Sequence, residues 1–148
     1  CFIQELNKVM QAGDALLLGV DRVKENAILN AAYNDAQGVT AEFNLNMLRV
    51  LNRELDANFK LDEFDHHACF NTEKSRIEMR LIANCNHEVR INDIDASISF
   101  AQGDDILTEI SQKYTYSGIE KMLSDAGFII NEHYEDEKAY FSLILASK

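Results

Sequence analysis

From Cys69 to Ala101 the chain runs in short stretches of alternating apolar and polar residues, each broken by Asn, Asp or Gly. This texture constrains the fold more than any other feature of the chain. A period of two sets one face of a strand on a core and the other in water, and the breaks supply turns. Residues 69–71, 76–84, 87–92 and 96–101 therefore read as an antiparallel meander, with Ile77, Met79 and Leu81 sharing one face. Residues 106–113 read as one more strand, on which Leu107, Glu109, Ser111 and Lys113 share a face.

The flanks have a different texture. Phe2, Ile3, Leu6, Val9 and Met10 fall on one side of a helix that Gly13 can end. Residues 15–20 read as a buried strand, with Asp21 at its carboxyl end, where open α/β sheets place functional groups. A helix over 25–36, closed by Gly38, precedes a longer one over 40–55. In the second, Thr40 is the expected N-cap and Phe43, Met47, Leu48, Leu51 and Leu55 form the apolar stripe, while Arg49, Asn52 and Arg53 face water. A helical turn is expected at 61–64. Near the end, Ser117 is the expected cap of a helix running to Ala126, with Gly127 as its C′ residue. Two apolar strands follow, over 128–134 and 139–146, joined by the acidic turn Glu135-Asp136-Glu137.

The fold class expected is α+β. A truncated Rossmann-like α/β sheet is built from 1–24 and 117–148, and a helix and antiparallel-sheet domain over 25–116 interrupts it. The first residue is Cys1 rather than Met, which reads as a piece of a longer protein. A sheet cut in this way exposes edges, so dimerisation or strand exchange is an expectation.

Charge and composition narrow the function. With 25 acidic against 14 basic residues the formal charge is −11, which repels phosphate backbones and argues against a nucleic-acid partner. No apolar run approaches the roughly 20 residues of a membrane span, and no signal peptide is recognisable. Three cysteines without paired spacing fit a reducing cytoplasm better than a disulfide framework.

Nucleotide-binding loops are missing: no two of the six glycines form G-x-G, and there is no Walker A pattern. His66, His67 and Cys69 cluster, as do Cys85 and His87, but neither C-x-x-C nor H-x-x-x-H occurs, so no metal site is expected from spacing. G-x-S-x-G is absent, and a hydrolase finds no support. Tyr33-Asn34-Asp35 ends one helix just before the start of the next, where free N–H groups favour a carboxylate. Glu109 and Ser111 aim at one side of a strand. An acid and a hydroxyl can satisfy both nitrogens of an imidazole, but the same pair also suits a solvent-facing strand.

The run Leu17-Leu18-Gly19-Val20-Asp21, then 31–35 (AAYND) and 38–46 (GVTAEFNLN), then Arg76-Ile77-Glu78-Met79 and Thr108-Glu109-Ile110-Ser111-Gln112-Lys113-Tyr114, resembles the histidine-specific SAM-dependent methyltransferases that make hercynine in ergothioneine biosynthesis. The resemblance covers essentially the whole chain. It implies S-adenosyl-L-methionine as cofactor, bound mainly by loops upstream of this chain, and L-histidine as substrate. By the same resemblance Tyr33 contacts the substrate carboxylate, Thr40 and Phe43 lie near the reacting amine, and Met79 lines the imidazole pocket. Glu109 and Ser111 hold the ring. Gln112 departs from the family's usual aromatic or Cys. The chain alone is expected to be inactive. The readings from other classes are a non-catalytic amino-acid-binding or protein-interaction module, and a family enzyme acting on another amino acid or an indole.

Overall fold

The computed structural model describes residues 2–148. In chain order the elements are α1 (Phe2–Val9), β1 (Ala15–Asp21), α2 (Asn26–Tyr33), α3 (Val39–Glu54), β2 (Phe64–Asn71), β3 (Arg76–Ala83), β4 (His87–Ile91), β5 (Ala96–Phe100), β6 (Asp105–Gln112), α4 (Tyr116–Asp125), β7 (Ile129–Glu135) and β8 (Phe141–Ser147). Helices and strands mix as an α+β fold. They divide into two compact units, Cys1–Lys24 with Gln112–Lys148, and Glu25–Ser111. No described helix is long and apolar enough to cross a membrane.

In the first unit the strand order is β1-β8-β7, with β8 antiparallel to both neighbours. β1 and β7 therefore run parallel to each other. Val20, Ile144 and Ala146 point to the side where α1 contributes Ile3 and α4 contributes Ile119 and Leu123. The opposite side of β1 is open: Leu17 is 61% exposed. The expectation of a buried strand over 15–20 is thus corrected to a strand buried on one face, because no described helix covers the other. On that face Gly19 sits under the Phe141 ring, and a Cβ there would come within 2.8 Å of it.

α4 begins two residues earlier than its sequence suggests. Thr115, not Ser117, is the N-cap, its hydroxyl accepting from the Gly118 N–H at 3.1 Å. The helix ends as the sequence implies. Gly127 takes φ 82°, its N–H reaches Ser124 and the Phe128 N–H reaches Leu123, a Schellman closure with Phe128 and Leu123 in the same core. The β7–β8 connection wraps around Asp136, whose carboxylate accepts from the N–H groups of Lys138, Tyr140 and Phe141. Those backbone donors hold the acid below its ordinary value.

In the second unit the sheet order is β2-β3-β6, and β4-β5 forms a separate hairpin. The expected meander is corrected on this point: β3 takes β6 rather than β4 as its second neighbour. β2 is also longer than the alternation suggests, starting at Phe64 after a single 3₁₀ turn over Leu61–Glu63. Ile77, Met79 and Leu81 do share the buried face of β3. Leu48 of α3 joins Phe59, Phe64, Leu81, Val89 and Phe100 in the larger core. Leu29 of α2 joins Ala68, Ile77 and Met79 in a smaller one. Asn52 does not simply face water; its amide bonds both the N–H and the carbonyl of Phe59. The outer face of β3 carries Glu78, gripped by Arg76 at 2.7 Å and Arg80 at 2.8 Å, with Arg80 also paired to Asp105. The Arg80 and Arg76 guanidiniums hold the Glu78 carboxyl down at about 2.

Candidate functional site

Three asparagines set the geometry around the junction of α2 and α3. β2 is an edge strand, and its free backbone groups need partners. Asn34 supplies them like a neighbouring strand: its amide donates to the Ala68 carbonyl at 2.8 Å and accepts from the Ala68 N–H at 3.1 Å. Asn30, one turn earlier, accepts from the Phe70 N–H at 2.8 Å. α2 therefore stops at Tyr33 rather than continuing to residue 36, because Asn34 leaves helical geometry to reach the strand. Asn44 is 3% exposed; its amide donates to the Arg80 carbonyl and sits 2.9 Å from His66 Nδ1. A donor facing Nδ1 places the proton of the neutral ring on Nε2, which then donates to the Tyr33 carbonyl at 2.9 Å. Tyr33 is thereby held at both its backbone and its ring. The asparagine spacing of 30 and 34 puts both amides on one face of a helix, a signal legible in the sequence that marks a polar partner for that face.

The start of α3 differs from expectation. Gly38, at φ 72°, occupies the N-cap position, and Thr40 lies inside the helix. Capping falls to Asp35, whose two carboxylate oxygens accept from the N–H groups of Val39 and Thr40, each at 2.9 Å. The Thr40 N–H is the main reason the Asp35 carboxyl is held down at about 2. These N–H groups are consequently already committed, and this helix end is not a vacant seat for a substrate carboxylate.

The remaining candidates fall into two groups. Tyr33 Oη donates to Ser111 Oγ at 2.9 Å, across 78 residues of chain, and the Tyr33 ring packs against the cluster holding Met79. Met79 is 2% exposed, so it packs within that core. Glu109 lies two residues before Ser111 on β6, on the same side of the strand. It lines a cleft of about 240 Å³ with Phe43, Asn44, Asn46, Met47 and Thr108. Phe43 is 65% exposed, which corrects its expected place in the apolar stripe of α3. The Thr108 hydroxyl donates to the Met79 carbonyl at 2.9 Å, tying β6 to β3 beside the cleft. Its volume is below the roughly 300–1,000 Å³ of drug-sized sites and suits a ligand of amino-acid size. The Glu109 carboxylate, the Thr108 hydroxyl and the Phe43 ring that line it can meet a small polar ring by hydrogen bonds and stacking.

A nucleoside cofactor finds no such cradle among the described residues. β1 leads out through Arg22, Val23 and Lys24, with no glycine turn. Asp21, at the end of that strand, is occupied by Lys113 at 2.8 Å and Lys24 at 2.6 Å. Burial pulls its carboxyl up, but the two ammonium groups outweigh this and leave it below its ordinary value. Lys113 is itself fully buried, so Asp21 serves to neutralise it rather than to meet a ligand.

Known proteins match this chain along nearly its whole length. The family profile described as histidine-specific methyltransferase, SAM-dependent, matches residues 1–148. The chain is 44% identical over 147 residues to the histidine N-alpha-methyltransferase of Mycobacterium tuberculosis, covering 99% of this chain and 46% of that protein. It is 43% identical over 145 residues to the protein of the same name from Mycolicibacterium smegmatis, covering 98% and 45%. The L-tryptophan methyltransferase of Psilocybe serbica is 27% identical over 146 residues, covering 97% and 40%. The chain thus spans just under half the length of the curated relatives it matches. A match from end to end, at this identity, makes the chain a member of the SAM-dependent, histidine-specific methyltransferase family.

Proposed function

We propose that the protein methylates the α-amino nitrogen of L-histidine, with S-adenosyl-L-methionine as methyl donor and hercynine as the fully methylated product. In this reading Glu25–Ser111 is the part that holds the amino acid, and Cys1–Lys24 with Gln112–Lys148 is the closing end of a Rossmann-like methyltransferase sheet. The supporting observation is Glu109, an acid at the lip of an amino-acid-sized cleft, with Ser111 on the same side of its strand and bonded to Tyr33. The half-buried thiols of Cys69 and Cys85, both free, suit work in the cytoplasm.

Glu109 accepts from one imidazole nitrogen, and the Ser111 hydroxyl serves the other. Tyr33 meets the substrate carboxylate. A ligand held between Tyr33 and Ser111 has to part their direct hydrogen bond. Parting costs little, because each hydroxyl gains a ligand partner in exchange. Thr40 and Phe43 border the amine, which titrates near ~8 when free and needs only a modest shift to lose its proton. An aromatic face there also suits the cationic nitrogen that accumulates with each methyl group.

The test is methyl transfer to a panel of amino acids, using the protein as the cell makes it. Histidine is expected to lead the panel. A hydrogen bond to a charged group contributes about 1.5–3 kcal/mol, so Glu109→Ala should lower kcat/KM for histidine roughly 10- to 150-fold and narrow its lead over apolar amino acids. An unchanged kcat/KM in this variant, or a wild-type preference for an indole amino acid, overturns the reading.

A further inference from the structure

The amide of Asn44 can sit only one way round. Its nitrogen carries two hydrogens, and both are committed, one to the Arg80 carbonyl at 3.1 Å and the other to His66 Nδ1 at 2.9 Å. Turning the amide over would set its oxygen against the Arg80 carbonyl oxygen, lone pair against lone pair. Oδ1 therefore keeps its place.

No described group donates to that oxygen. An amide oxygen sealed in the core without a donor would be an orphan, and the enclosed atoms of that kind among the described residues are Arg22 Nε and His87 Nε2. Asn44 keeps only 3% of its surface, and the space it borders is the cleft it shares with Phe43 and Glu109. Oδ1 thus opens on the cleft as a fixed acceptor. We propose that Asn44 is a further substrate-binding residue, whose Oδ1 accepts a hydrogen bond from the α-amino group of the ligand, with His66 as the positioning residue that holds the amide in that orientation.

This role rests on the histidine reading, in which Thr40 and Phe43 border the amine. Thr40, Phe43 and Asn44 stand at i, i+3 and i+4 on α3, so the three share one flank of the helix.

The chemistry of repeated methylation gives such an acceptor a signature of its own. The amine reacts in its neutral form. Its lone pair forms the C–N bond as the C–S bond of the methyl donor breaks, and the electron pair of that bond stays on sulfur. The ammonium so formed sheds a proton to solvent before the next transfer. The attacking nitrogen carries two N–H groups in histidine, one after the first methyl and none after the second. An acceptor aimed at the amine orients it for the first two transfers and has nothing to hold in the third.

The test is methyl transfer by the protein as the cell makes it, with histidine or its α-N,N-dimethyl derivative as acceptor, each read as the initial rate of one transfer. Asn44→Ala should lower kcat/KM for histidine roughly 2- to 12-fold more than for the dimethyl acceptor, the span of one net hydrogen bond. Loss of folded protein, or of packing against His66, lowers both acceptors alike and cancels in the ratio. Asn44→Ser, too short to reach the amine, should show the same split and stands in if the alanine variant does not fold. His66→Leu, which frees one of the two amide N–H groups, should shift the ratio in the same direction by a smaller factor. An equal loss for the two acceptors in the Asn44 variants, or a larger loss for the dimethyl acceptor, overturns the role of Asn44; an unchanged ratio in His66→Leu overturns that of His66. Glu109→Ala should penalise both acceptors equally, because both carry the same ring. A wild type that transfers no methyl group to histidine overturns the histidine reading and this role together, whereas an active wild type with an even ratio in the Asn44 variants overturns the role alone.

Discussion

Asp35 and Glu78 are each committed to several donors at once, and both carboxyls are held down at about 2, against ordinary values of 3.8 and 4.5. A carboxyl depressed by folding adds stability that is complete above its unfolded value and is lost as pH falls through the folded one. Urea midpoints should therefore hold steady at pH 5 and above, then fall between about pH 4.5 and 2. Asp35→Asn combined with Glu78→Gln should flatten that fall; the same slope in the double variant would contradict the assignment. The Tyr33–Ser111 bond yields to a thermodynamic cycle. Tyr33→Phe, Ser111→Ala and the double variant should show a coupling of about 0.5–1.5 kcal/mol, the net value of a partly buried hydrogen bond. A coupling near zero would mean that the two hydroxyls do not meet in solution. Neither pair was visible in the sequence. Asp35 precedes a glycine and a threonine that looks like the better cap, and Tyr33 meets Ser111 only after two helices and a sheet have closed.

Elements were legible where their period was undisturbed. The alternation Ile77, Met79, Leu81 places β3 correctly because the buried side needs every second residue. The four-residue spacing of Ile119 and Leu123 places α4, and Gly127 marks its end because only glycine takes φ 82° without steric penalty. Gly127→Ala should destabilise by about 1–2 kcal/mol. The added methyl would sit no closer than 3.6 Å to Asn7, so the loss is conformational. A midpoint within error of wild type would show that the Schellman turn does not hold. Boundaries were less legible. Thr115 and Ser117 compete for one cap, and their hydroxyls lie 3.3 Å apart; local chemistry does not choose between them. β1 misled differently: it is apolar at nearly every position from Ala15 to Val20, and such a run carries no mark of which face will be covered.

At the scale of the whole chain, that choice of face has a measurable consequence. Ile144 is fully buried and Leu17 largely exposed. Ile144→Ala should cost about 2–5 kcal/mol, while Leu17→Ser should stay within about 0.5 kcal/mol of wild type. A comparable loss from both would show that the outer face of the first sheet is covered in solution. The sequence by itself determined the two textures, α/β at the ends and antiparallel in the middle, because periods of 2 and 3.6 follow from backbone geometry within a few residues. It also determined the family, through motifs that survive without knowledge of their contacts. Tertiary structure alone decided that Asn30 and Asn34 complete the edge of β2, that Asp21 is taken by a buried lysine, and that Tyr33 meets Ser111. Each of these brings together groups separated by up to about 90 residues. The chain can align such groups only by closing loops whose entropy the packed cores offset, a balance that no local pattern records.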